Sequence, residues 1–342
     1  MGIPGRASAG RRNKRLWGEG VEHLLVTGGA GFIGSHLVDR LLAAGKQVTV
    51  VDNFDSFYDP EMKEENVRAH HDYAGYRLVR ADIRDLEGLR RELREDFDLI
   101  IHLAARAGVR PSIEQPLLYQ EVNIRGTQNM LELARERRVE RFIFASSSSV
   151  YGVNPRVPWS EDDQVLQPIS PYAGTKVSGE LLGHVYHHLY GISFIGLRFF
   201  TVYGPRQRPD LAIHKFARLL LAGKPLPVYG NGETKRDYTY IDDVVQGVMA
   251  AARLPAGRYE LINLGNSRTV MLKDLIHTLE EVFGVKARLR YLPEQPGDVP
   301  QTYADITKAA ALLGYRPETP LRTGLEEFAR WLEKHLAVRR VG

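Results

Sequence analysis

The sequence predicts an α/β fold, a doubly wound parallel sheet followed by a smaller α/β lobe. Three observations predict it. Short β-branched runs alternate with helical periods through the first half, a glycine turn joins the first run to the first helix, and prolines interrupt the chain after Gly204. Strands alternating with helices require crossover connections, which put helices on both faces of a parallel sheet.

The elements follow in order. Strands are expected at His23–Thr27, Gln47–Val51, Tyr76–Arg80, Leu99–Leu103, Arg141–Ser146 and Ser193–Phe199, each short and rich in apolar residues. Helical spacing falls between them at Phe32–Ala44, Leu86–Glu95, Leu117–Arg138 and Pro171–Tyr190. Beyond Gly204, prolines such as Pro205, Pro225, Pro255 and Pro300 leave room for shorter helices. These are expected at Ala212–Ala222, Asp242–Arg253, Leu272–Phe283, Ile306–Leu313 and Leu321–His335. The expected organisation is a basic tail over 1–20, a nucleotide-binding domain over 21–200 and a lobe made mainly of 201–342. The chain is expected to cross between the two lobes more than once.

Composition narrows the classes. No run approaches the ~18 apolar residues of a membrane span, so no membrane association is expected. The chain has no cysteine, which excludes disulfides and thiol catalysis and suits a cytoplasmic location. The formal net charge is only +4, and much of the excess sits at Arg6, Arg11, Arg12, Lys14 and Arg15. That head reads as a solvated tail. Arg11-Arg12 lacks the apolar stretch of a twin-arginine signal, and Arg6 stands where a myristoylation site needs Ser or Thr. With the positive charge terminal and no interleaved aromatics, nucleic-acid binding is not expected. None of the histidines falls in an HExxH spacing, so no metal site is expected.

The first strand runs into Thr27-Gly28-Gly29-Ala30-Gly31-Phe32-Ile33-Gly34. Glycines at this spacing permit a tight turn and close approach of backbone to a pyrophosphate, which rests on the N-terminus of the next helix. A glycine triplet alone is a weak signal. Here strand, turn, helix and second strand occur in order, and Asp52 ends the second strand. An acid there accepts hydrogen bonds from ribose hydroxyls and repels a 2′-phosphate, favouring NAD over NADP. Asp82-Ile83, Leu103-Ala104-Ala105 and Asn123 fit further stops along the same cofactor. None is distinctive alone, and Asp82 serves equally well as a helix cap.

Tyr172 and Lys176 form a YxxxK pair after the fifth strand. Residues four apart share a helix face, so phenol and ammonium can enter one cleft. The ammonium is expected to lower the phenol's pKa from about 10, so that Tyr172 can accept a hydroxyl proton while hydride leaves the same carbon. Ser146 to Ser149, with Val150-Tyr151-Gly152, lie at the end of the fifth strand, where open α/β sheets bind ligands.

Together GGAGFIG, HLAA, SSSSVYG, SPYAGTK, LRFFTVYGPR and KRDYTYIDD resemble the extended short-chain dehydrogenase/reductase family of NAD-dependent nucleotide-sugar epimerases and dehydratases. The resemblance spans residues 22–336. It implies a Rossmann domain with tightly bound NAD that is regenerated each turnover, and a lobe that holds the nucleotide sugar. It also implies a homodimer formed through the helices near 117–138 and 171–190. Ser147 falls on the family's catalytic Ser/Thr, Tyr172 on its base and Lys176 on the ribose-binding lysine. Asn53 and Phe200 fall at the cofactor. Arg208, Arg236, Asp298 and, more loosely, Lys215 and Phe216 fall at the substrate.

Within the family the positions before Val150 discriminate. Dehydratases carry Asp-Glu there and glucuronate decarboxylases a Glu, whereas this chain has Ser148-Ser149. Two hydroxyls can hydrogen-bond a sugar carboxylate that two carboxylates would repel. Thr201 adds a third hydroxyl where glucose epimerases usually have Asn, and Gln295 stands where many of them have Arg. VDNFDSFYD, RAGVRPSIEQP and EQPGDVPQTYAD also resemble UDP-glucuronate 4-epimerases. The expectation is therefore C4 epimerisation of UDP-glucuronate to UDP-galacturonate through a 4-keto sugar. The three hydroxyls would restrain the carboxylate against loss of carbon dioxide. The alternatives are a UDP-glucose or UDP-N-acetylglucosamine 4-epimerase, a related decarboxylase or reductase, and a non-catalytic NAD sensor. Tyr172 and Lys176 argue against the last.

Overall fold

A computed structural model describes residues 21–163, 167–295 and 297–341. The basic tail expected over 1–20 lies outside the described residues.

Seven parallel strands form the main sheet: β1 (His23–Thr27), β2 (Gln47–Asp52), β3 (Tyr76–Arg80), β4 (Leu99–His102), β5 (Arg141–Ser147), β6 (Ser193–Phe199) and β11 (Tyr259–Leu264). Their order is β11-β6-β5-β4-β1-β2-β3. The order reverses at β1, which has β2 on one side and β4 on the other. A crevice must open there beyond the carboxyl ends of the strands, because the connections leave on opposite sides.

Successive residues of β1 face opposite layers, as strand geometry demands. Leu24 and Val26 pack with Leu37, Val38 and Leu41 of α1 (Phe32–Ala43). Leu25 joins the other layer with Ile100, Phe142, Met130 and Leu131. The shorter helices α2 (Pro60–Val67) and α3 (Leu86–Glu92) are capped by Asp59 and Asp85, whose carboxylates accept from Glu61 N at 3.0 Å and Gly88 N at 2.9 Å.

The helix expected over Leu117–Arg138 is segmented. Past β4 come α4 (Val109–Glu114) and α5 (Pro116–Tyr119), then a π-helical stretch over Gln120–Arg125, then α6 (Gly126–Glu136). Asn123 sits in the widened stretch and clamps the loop after β4, accepting from Arg106 N at 2.8 Å and donating to its carbonyl at 2.9 Å. Helix α7 (Pro171–Tyr190) has local signals at both ends: Ser170 caps Ala173 N at 3.1 Å, Pro171 opens the first turn, and Gly191 closes the helix at φ +70°.

Beyond β6 come β7 (Thr201–Tyr203), α8 (Ala212–Leu221), β8 (Leu226–Tyr229), β9 (Lys235–Arg236), β10 (Tyr238–Tyr240) and α9 (Ile241–Ala251). After β11 follow β12 (Val270–Met271), α10 (Leu272–Phe283), β13 (Leu289–Leu292), α11 (Thr307–Leu313) and α12 (Leu321–Val341). Three two-stranded pairings, β7 with β10, β9 with β12 and β8 with β13, tie these elements together. The edge strand β11 returns to the main sheet beside β6, so the sheet is completed from beyond residue 200. Its sequence, YELINL, lacks the alternation that marks a strand, and Asn263 is fully buried. Asn263 accepts from the Tyr151 hydroxyl at 2.7 Å and donates to the carbonyls of Trp159 and Asp305 at 2.9 and 3.0 Å.

Helix α7 approaches the sheet through Gly179 and Gly183, where an added Cβ would collide with the rings of Phe144 and Phe194. Gly183→Ala is therefore expected to destabilise the fold by about 1–3 kcal/mol, the usual cost of overpacking. Chemical denaturation of the two proteins checks this.

Candidate active site

A cavity of about 480 Å³ opens at the crevice beyond β1 and β4. Its floor is the glycine turn. Gly28 N donates to Val51 O at 2.8 Å and Leu103 N to Thr27 O at 3.1 Å, drawing the turn against the ends of its neighbouring strands. Gly28 has φ +73°, and a Cβ there would stand 2.8 Å from Ala104 N. A Cβ on Gly34 would strike the Gly28 carbonyl. Helix α1 has no side-chain cap, so its first N–H groups remain available to an anion. The cradle therefore fits a pyrophosphate.

Around the turn the cavity is lined by Gly31, Phe32, Ile33, Asp52, Asn53, Asp82, Ile83, Ala104 and Ala105. Asp52 is nearly buried, accepting from Ala30 N at 3.2 Å and Phe54 N at 2.9 Å, with Lys63 Nζ at 3.8 Å. Asp82 is held by three Arg84 hydrogen bonds, from N and Nε to Oδ1 at 2.9 Å each and from Nη2 to Oδ2 at 2.7 Å, and by Asn53 Nδ2 at 3.0 Å. Arg84 above all lowers its pKa to about 2. Below the cavity, His102 bridges Thr27 and Thr127 at 2.7 and 3.0 Å, and burial lowers its pKa to about 3, so it is neutral.

At the other end β5 delivers Ser147, Ser148 and Ser149, α7 delivers Tyr172 and Lys176, and the β6–β7 junction delivers Phe200 and Thr201. Ser147 Oγ donates to Ser149 Oγ at 3.2 Å and accepts from Ser149 N at 3.1 Å. Burial leaves the pKa of the Tyr172 phenol raised, with Ser147 and the charge of Arg208 drawing it only partly back down. The net direction is upward, against the lowering by Lys176 expected from sequence. The structure corrects this: Lys176 Nζ donates to Ala145 O at 2.7 Å and lies 5.8 Å from the centre of the Tyr172 ring. Burial lowers the lysine's own pKa to about 7. Arg208 is oriented by Asp210, through Nε at 2.9 Å and Nη2 at 2.7 Å.

A second cavity of about 160 Å³ continues past the serines and is lined by Arg236, Asp298 and Thr302. Val109, Ser148, Ser149 and Thr201 line both cavities, so the three hydroxyls stand where the two meet.

Three residues named from sequence stand elsewhere. Asn123 lies behind the cavity wall as the loop clamp, donating also to Thr175 Oγ1 at 3.0 Å. Lys215 is exposed, and Phe216 is in the core with Ile213, Ala217 and Leu220, because that stripe of α8 faces inward. Neither lines a cavity. Conversely, Arg106 and Arg110 received no role from sequence. Arg106 lines the large cavity with its guanidinium over Phe57, 4.8 Å from the ring centre. Arg110 lies over Tyr229 at 4.4 Å and bonds Asp298 at 2.7 Å. Their position just past the carboxyl end of β4 is the available signal. Among the described residues there is no group of three or more His, Asp or Glu arranged for a metal, and no helix is long and apolar enough to cross a membrane.

A parallel sheet reversing at a glycine turn, with a tyrosine–lysine pair beside the crevice, defines the extended short-chain dehydrogenase/reductase class. The description of the GDP-mannose 4,6 dehydratase family matches residues 25–328, and the chain belongs to that family. It is 44% identical over 328 residues to UDP-glucuronate 4-epimerase 4 of Arabidopsis thaliana, covering 90% of this chain and 74% of that one. It is 41% identical over 318 residues to the UDP-glucuronate 4-epimerase of Thermodesulfobacterium geofontis, covering 92% and 97%. A crystal structure of UDP-glucuronic acid 4-epimerase from Bacillus cereus with UDP-glucuronic acid and NAD superposes with a TM-score of 0.85 at 40% identity, covering 92% of this chain and 99% of that one.

Gly34→Ala places a methyl against the turn that cradles the pyrophosphate. It is expected to weaken NAD binding at least about tenfold, or about 1.4 kcal/mol, measured by fluorescence titration of the cofactor-stripped protein.

Proposed function

We propose that the protein interconverts UDP-glucuronate and UDP-galacturonate by epimerisation at C4, with NAD held as a regenerated cofactor. The observation that carries the substrate is the junction of the two cavities, where Ser148, Ser149 and Thr201 present hydroxyls and no carboxylate. Such a junction can hydrogen-bond a sugar carboxylate without repelling it. The relatives and the Bacillus cereus structure, with their UDP-glucuronate names and ligands, support the same reading.

The glycine turn, Asp52, Asn53, Asp82 and Ile83 hold the cofactor's adenosine and pyrophosphate, and Lys176 its nicotinamide-side ribose. NAD there supplies a hydride acceptor that also returns the hydride, so the sugar passes through a 4-ketone. Tyr172 takes the proton of the 4-hydroxyl and later gives it back. Ser147 and Arg208 both favour the anionic form of the phenol. Arg236 and Asp298 hold the nucleotide side of the substrate in the second cavity. The 4-ketone of a glucuronate is a β-keto acid, prone to lose carbon dioxide. Ser148, Ser149 and Thr201 hold the carboxylate away from the alignment that cleavage needs, giving the sugar time to present its other face.

The proposal includes a homodimer. Leu181, Val185 and Leu189 fall four apart on α7 and are 63%, 45% and 60% exposed, and Leu117 on the neighbouring α5 is 74% exposed. One helix face with that much bare apolar surface matches an interaction site. Sedimentation equilibrium is expected to read twice the chain mass, and Leu181→Asp with Leu189→Asp to return the monomer; a monomeric parent would remove the dimer.

Product analysis tests the reaction. The NAD-loaded protein is expected to convert UDP-glucuronate to UDP-galacturonate with no net NADH, and Tyr172→Phe to lose about 10²–10⁴-fold in kcat. Thr201→Ala is expected to raise the share of decarboxylated pentose. Turnover of UDP-glucose in preference to UDP-glucuronate, or an unchanged product ratio and affinity in Thr201→Ala, would overturn the carboxylate assignment.

A further inference from the structure

Tyr172, Lys176 and Glu180 follow one another at intervals of four on α7, and side chains so spaced stack along one face. Lys176 and Glu180 are both buried, at 4% and 3% exposure. The proposed chemistry uses the first two residues and leaves the third unexplained. Glu180 is nonetheless held by three hydrogen bonds. Ser146 Oγ donates to its Oε1 at 2.5 Å, and Arg198, fully buried on β6, donates from Nε and Nη2 at 2.9 Å each. Both tethering residues belong to the site's own strands, Ser146 to β5 and Arg198 to β6. Ser146 stands between Ala145, whose carbonyl receives Lys176, and Ser147, which meets the phenol.

The surroundings of Lys176 show why an anion matters. From β5 it meets the Ala145 carbonyl and the ring of Phe144, 4.9 Å from its centre. From β4 it faces His102, kept neutral by burial, and from its own helix Tyr172 and Glu180. Burial drives the ammonium toward neutrality, and the Glu180 carboxylate is the charge that opposes it. Arg198 supplies the countercharge on the far side of Glu180 and lies over the Tyr151 ring, 4.8 Å from its centre. A buried ion pair is by itself weak evidence of a stability role, since its desolvation offsets much of its attraction.

We propose that Glu180 is a positioning residue that keeps the Lys176 ammonium charged in the closed cleft, with Ser146 and Arg198 fixing its carboxylate for that purpose. The sign follows directly. A buried lysine loses its proton as pH rises, and a neighbouring carboxylate delays that loss. Removing the carboxylate moves the loss to lower pH, and activity that needs the cation falls away earlier on the alkaline side.

The experiment compares the full-length, NAD-loaded parent with Glu180→Gln and with Glu180→Gln/Arg198→Met, which removes both charges and leaves no orphan cation. Two quantities are followed against pH: kcat/KM with UDP-glucuronate, and the 13Cε shift of Lys176, assigned by its loss in Lys176→Arg. In Glu180→Gln the alkaline limb and the lysine midpoint are both expected about one pH unit or more lower. The double variant is expected to shift in the same direction by less, because the repelling guanidinium is also gone. A folded double variant with the parent's alkaline limb and lysine midpoint, changed only in melting temperature, would overturn the inference and leave the pair as a staple between α7 and β6. The kinetic readout rests on the epimerase reading above, whereas the lysine titration does not. A parent with no turnover on nucleotide sugars would sink that reading, and the midpoint would still decide the role of Glu180.

Discussion

A buried cation has to survive at the wall of the cleft, and the architecture around Lys176 is organised by that constraint. The Lys176 ammonium has a single carbonyl, Ala145 O, to donate to, with aromatic rings on other sides. Such a setting would be expensive for any ion left alone. It becomes tolerable because β5, β6 and α7 converge on it, each bringing one member of a charged and hydrogen-bonded chain from Ser146 through Glu180 to Arg198. Closeness between helix and sheet is therefore a chemical need as well as a packing one. Gly179 and Gly183, by omitting side chains, set that closeness.

The same economy of position operates at the nucleotide end. The strand order reverses at β1, so the glycine turn, the end of β2 and the loop after β4 open into one crevice. The reacting residues enter from β5, α7 and the β6–β7 junction, further along the same carboxyl edge. Along that edge the glycine turn comes first, Tyr172 and Lys176 next and the three hydroxyls last. Ser148, Ser149 and Thr201 face two cavities at once, so the same hydroxyls join the two spaces.

Features with local causes were legible in the sequence. The glycine turn, α7 with its serine cap and glycine stop, and the first six strands of the sheet carry their signals within a few residues of themselves. Features set by distant contacts were not. Strand β11 is defined by β6 and by hydrogen bonds to Asn263, not by its own apolar pattern. The break in the helix expected over Leu117–Arg138 reflects Asn123 gripping a loop that sequence spacing cannot place. Phe216 carries the aromatic character of a ligand contact, but the rotation of α8 assigns it to the core. The phenol's neighbours changed most. Helix spacing brings Lys176 near Tyr172, whereas Ser147 and Arg208, from elsewhere in the chain, are the groups that act on it.

The return of β11 to the edge of the sheet carries a consequence for how such a protein can be taken apart. A fragment ending near residue 200 would have a bare β6 edge, with the ladder from Phe194 to Phe199 left unsatisfied. It would also lack Asn263, which anchors Tyr151 beneath the serine stretch. The halves are thus interlocked rather than merely adjacent. Recombination between relatives should respect this by exchanging β6 and β11 together, however far apart they stand in the gene.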